Sequence, residues 1–111
     1  MIRRMGLLKR KPEFTREQFR KHWLEIHGPL GQNVPGVRRY VQHHIVGDTR
    51  HPDLPPAEQS YDGIVELWFD DEAAMNTALA TPEAKAMFAD GTLFIESVTS
   101  YIVESEVLVH E

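Results

Sequence analysis

Apolar and polar positions alternate along this chain with two periods, and each period predicts a different element. Phe19, Trp23, Ile26 and Leu30 recur at helical spacing, which predicts one buried helix stripe. Thr15-Arg16-Glu17-Gln18 precedes them as a capping box, with Thr15 facing the Gln18 amide and Gln18 reaching back. Gly28-Pro29 is expected to end that helix, because glycine suits a C-terminal cap and proline lacks an amide. Val37, Val41 and Ile45 alternate with Arg38, Tyr40, Gln42 and His44, a period of two that predicts a strand. Residues 64–69 form the clearest strand, with Val65, Leu67 and Phe69 on one face and Ile64, Glu66 and Trp68 on the other. Residues 1–10 suit a first strand, and residues 93–109 hold a last one.

Between strands, the signals are caps and breakers. Asp70 or Asp71 caps an Ala-rich helix running to about Ala80, and Thr81-Pro82-Glu83 opens another that stops near Gly91. Residues 48–60 contain Pro52, Pro55 and Pro56 without periodicity and read as a loop. The order is β-α-β-β-α-β, an α+β, ferredoxin-like pattern with four antiparallel strands and the helices on one face. The other face then exposes an apolar surface, which predicts a homodimer whose sheets pack into a barrel with a lumen.

Composition narrows the function. The 111 residues fit a single domain spanning 1–111, and 41% hydrophobic with 26% charged residues is ordinary for a globular chain. No apolar run approaches a bilayer span or a secretory leader, so a cytoplasmic protein without a membrane partner is expected. The absence of cysteine removes disulfides, thiolate metal sites and thiol nucleophiles. A net charge of -5 argues against nucleic acid as a partner.

His27 is the leading catalytic candidate, since it lies at the edge of the apolar stripe where the helix is expected to break. A half-buried imidazole there suits a general acid or base; the plainer alternative is a histidine complementing the helix dipole. Glu66 points with Trp68 into the uncovered face, where a dry carboxylate can hold a proton, or where it pairs with Arg38. Strand parity is expected to place Tyr40, Arg38 and His44 on that same face, where Tyr40 and Arg38 suit a carboxylate or enolate. Trp23 and Trp68 complete the substrate-binding set, with His51 reaching in from the loop. No metal site is expected among the six histidines. His22 and His27, five apart, fall roughly 140° apart on an α-helix, and His43 and His44 point to opposite sides of a strand.

Several segments resemble the EthD-like family of the dimeric α+β barrel superfamily. They are residues 19–30 (FRKHWLEIHGPL), residues 35–40 (PGVRRY), residues 62–69 (DGIVELWF) and Asp90 with Phe94. The resemblance implies a dimeric barrel and a role in breaking down or building small organic compounds. It also implies that His27 and Tyr40, with Glu66 beside them, are candidate acid–base groups. The expected function is a cofactor-independent isomerase, cyclase or lyase acting on a small cyclic or unsaturated organic metabolite. A non-catalytic metabolite-binding protein and a cofactor-free monooxygenase are the alternatives.

Overall fold

The computed structural model describes residues 1–110; the last position of the expected 1–111 domain lies outside them. β1 (Ile2–Arg10), β2 (Arg39–His44), β3 (Gly63–Phe69) and β4 (Ile95–Val103) form one sheet in the order β2-β3-β1-β4. Every neighbouring pair is antiparallel. α1 (Arg16–His22), α2 (Gly28–Gln32), α3 (Glu72–Leu79) and α4 (Pro82–Phe94) supply the helical layer. This is the expected ferredoxin-like arrangement.

Local chemistry sets the starts of the helices. The Thr15 hydroxyl accepts from the Gln18 amide at 3.1 Å, and the Gln18 side chain accepts from the Thr15 amide at 2.9 Å. Asp71 caps α3 and Thr81 caps α4, where Pro82 needs no amide partner. Buried Asp62 ties the strands to α1, accepting from the Arg10 amide and side chain and facing Arg16 at 3.5 Å.

The first helix does not end at Gly28-Pro29. It widens into a π turn over Trp23–His27 and continues as α2 to Gln32. The Gly28 amide donates to the Trp23 carbonyl, five residues back, so the chain passes Pro29 without a break. α4 likewise runs past Gly91 to Phe94 and enters β4 with no loop.

Two clusters form the core. Trp23, Phe19 and Phe94, each at most 1% exposed, pack with Leu8; Leu67, Phe69, Met75 and Met87 pack with Val34. Two glycines permit close approaches. A Cβ on Gly63 would collide with the Trp23 indole, and one on Gly31 would occupy the Tyr40 ring.

The second contact reverses an ordinary rule. Replacing a helical glycine by alanine normally stabilises by about 1 kcal/mol. Gly31→Ala is expected instead to cost about 1–3 kcal/mol through overpacking against Tyr40, measured by urea unfolding.

Candidate active site

Strand register assigns each candidate to a face. Tyr40 lies opposite Leu67, and Gln42 opposite Val65, so both point toward the helices. Arg39, Val41 and His43 share the open face with Trp68, Glu66 and Ile64. The expectation that Tyr40, Arg38 and His44 join Glu66 is therefore corrected. Alternation made two sets visible, but the assignment of the sets to the faces depended on pairing with β3.

Glu66 faces Arg3 at 3.7 Å and His43 at 3.5 Å, not Arg38. Arg38 instead forms an exposed two-bond pair with Asp70, its Nε and Nη2 donating at 3.0 and 2.9 Å. Trp68 lies under the Arg3 guanidinium, 3.7 Å from the ring centroid. His51 is exposed in the loop, where its Nδ1 accepts from the Asp53 amide. These four residues lie outside the cavity that holds the rest.

That cavity, of about 310 Å³, lies between the helices and the sheet. Trp23, His27 and Tyr40 line it, with Arg4 from β1 and apolar walls from Val65, Leu67, Met87 and Phe88. The volume is at the lower end of ligand pockets, about 300–1,000 Å³. The cavity is thus lined by residues of one chain, on the helix side of the sheet.

His27 is the centre of its polar chemistry. It is buried, and its Nδ1 donates to Asp90 Oδ2 at 2.8 Å. A carboxylate only accepts, so the proton resides on Nδ1 and the neutral ring carries a bare Nε2. That Nε2 has no hydrogen-bond partner among the described residues and is not fully buried, and its residue lines the cavity. His22 Nε2 donates to the same carboxylate at 3.1 and 3.2 Å. The pair of histidines shares one helix face because the π turn lies between them. The five-residue spacing that separates them on an α-helix brings them together here.

Tyr40 is held from the other side. Its oxygen accepts from Gln42 Nε2 at 2.7 Å, and the same amide group donates to the Trp23 carbonyl at 2.9 Å. The hydroxyl proton of Tyr40 is left for a ligand. Burial pushes the Tyr40 phenol above its ordinary pKa, so it remains a donor at neutral pH. Burial likewise holds His27 below its ordinary value; the Asp90 hydrogen bond and charge oppose this, and His22 adds to it.

Asp90, His22, Gln42 and Arg4 were not among the residues expected to form the site. One signal for Asp90 lies in α4: it sits between Met87 and Phe94 on the apolar stripe, where an acidic residue needs a partner. Among the described residues, no group of three or more His, Asp or Glu side chains is placed to hold a metal ion. No helix among them is long and apolar enough to cross a membrane.

The fold and cavity define a ferredoxin-like α+β protein with a histidine–aspartate pair facing an apolar pocket. The EthD domain model matches residues 11–97, and the chain belongs to the EthD family. An EthD-family protein from Bacillus halodurans is similar at 28% identity and TM-score 0.75, covering 96% of this chain and 100% of that one. A dimeric ferredoxin-like protein from Thermobifida fusca shares the fold at 18% identity and TM-score 0.66, covering 92% and 88%. So does a DABB-family protein from Mesorhizobium loti, at 17% identity and TM-score 0.71, covering 96% and 97%. No curated protein matches the chain.

The His27 environment carries a pH signature. Its folded pKa lies below the usual 6.5. The unfolded chain therefore binds more protons below that value, and stability falls as pH drops through the folded pKa. His27 is expected to titrate below 6.5 by NMR, and Asp90→Asn to move it lower still. The melting temperature should fall on acidification below 6.5, less steeply in His27→Asn; a midpoint above 6.5 contradicts the burial assignment.

Proposed function

We propose that this protein is a cofactor-independent acid–base enzyme of the isomerase, cyclase or lyase type. It acts on a small cyclic or unsaturated organic molecule during its breakdown or synthesis. The observation that carries this reading is the bare His27 Nε2 in an apolar cavity, with its other nitrogen anchored on Asp90. In that arrangement His27 removes a proton from an activated carbon and returns it elsewhere on the ligand. Asp90 keeps the ring in the required tautomer and stabilises the imidazolium that forms. The Tyr40 hydroxyl donates to the oxygen on which charge develops, and Gln42 fixes the direction of that hydroxyl. Glu66, on the opposite sheet face, has no part in the step.

The same reading takes the open sheet face as a homodimer interface. Met5, Leu7, Val41, Ile64 and Trp68 lie on it by register. Dimeric proteins of the same fold support this pairing. Sedimentation at micromolar concentration is expected to return twice the chain mass, and a monomer refutes the interface.

Proton transfer is tested with β,γ-unsaturated cyclic ketones and lactones in D₂O, followed by NMR for deuterium uptake and conjugation. His27→Asn is expected to lower the rate by about 100-fold or more. Tyr40→Phe should cost on the order of 100-fold through loss of the oxyanion donor. Glu66→Gln should stay within a few-fold. Equal rates for the wild type and His27→Asn overturn the assignment.

A further inference from the structure

The cavity holds a positive charge that the protein itself does not neutralise. Arg3, Arg10, Arg16 and Arg38 each face a carboxylate. Arg4 does not: among the described residues it has neither an ion pair nor a side-chain hydrogen bond. Its register explains where it points. Tyr40, Leu67, Arg4 and Ile102 form one row across the sheet, and buried Leu67 marks that row as facing the helices. The Arg4 guanidinium carbon lies 5.8 Å from the Phe88 ring centroid at the cavity wall. Glu96, the other charged side chain on the lining, is half-exposed and faces Lys9 at 3.9 Å.

A half-buried guanidinium is costly to leave without a counter-charge, and burial already pushes its pKa below the usual arginine value. It cannot shed the charge at neutral pH, and an anion that enters the cavity would satisfy it better than the water that reaches its exposed part. Its planar donors match a carboxylate in two parallel hydrogen bonds. We propose that Arg4 is the anion-binding group of the cavity, and that its ligand is a small apolar molecule carrying a carboxylate. This rests on the reading of the cavity as the ligand site. The apolar body lies against Val65, Leu67 and Met87, and the carboxylate anchored at Arg4 fixes which part of the ligand meets His27 and Tyr40. Arg4 then selects acids over neutral molecules of the same shape.

Isothermal titration with phenylacetate, phenylpropionate and phenylbutyrate, each paired with its amide, tests this. At least one acid is expected to bind roughly 10-fold tighter than its amide, the strength of a charged hydrogen-bonded pair. The ratio should fall to about one in Arg4→Gln and be partly restored in Arg4→Lys. An amide that binds as tightly as its acid overturns the proposal, as does an unchanged ratio in Arg4→Gln or a failure of every acid to bind at millimolar concentration. The wild-type comparison and Arg4→Lys keep the test decisive should Arg4→Gln not fold. His27→Asn is expected to keep the acid preference, so this assignment and that of His27 fail separately.

Discussion

The carboxylate of Asp90 is the interaction on which the rest of this site depends. It receives a ring N–H from His22 and another from His27, and so joins the first helical segment to the last helix beside the cavity. A lone carboxylate at that depth would be destabilising; two charge-assisted hydrogen bonds offset the lost hydration. The consequence for His27 is a defined tautomer, with its free nitrogen on the cavity side. Phe94 packs beneath both rings, at 4.4 Å from His22 and 5.2 Å from His27, and limits how far either can turn.

This clamp exists because the helix is not regular. In a continuous α-helix His22 and His27 would diverge, and Pro29 would confront the preceding turn. The π turn over Trp23–His27 relieves both conflicts at once. It also leaves the Trp23 carbonyl in reach of Gln42, which in turn orients Tyr40. One local widening of the backbone thus couples the helix, the second strand and both candidate proton-handling groups.

The sheet separates two kinds of surface. Its helix side carries the cavity, with His27, Tyr40 and the unpaired Arg4 among apolar walls. Its open side carries Glu66, held between Arg3 and His43, and Trp68 beneath Arg3. The proposed chemistry and the proposed dimer contact therefore use opposite faces of the sheet, and a change at one need not disturb the other.

Much of the architecture was legible in the chain. Helical spacing from Phe19 to Trp23, the Thr15 box, the Thr81-Pro82 start and the alternation in residues 64–69 all reflect short-range physics and hold in the fold, whereas Ile26, expected on the same buried stripe, is exposed because the π turn shifts the helical phase. His27 and Tyr40 were also legible, as titratable groups on otherwise patterned elements. The face of Tyr40 was not, because alternation defines two sides of a strand without saying which one meets the helices. That was decided by pairing with Leu67 and by the bare backbone of Gly31, both distant in sequence. Nor did spacing bring Asp90 to His27, 63 residues apart, since an α-helical wheel assumes a regular turn that the π segment does not have. The sequence by itself determined the elements and supplied the titratable residues they carry. Only the tertiary structure decided which of them share a cavity, because register and helix winding are settled by contacts between segments.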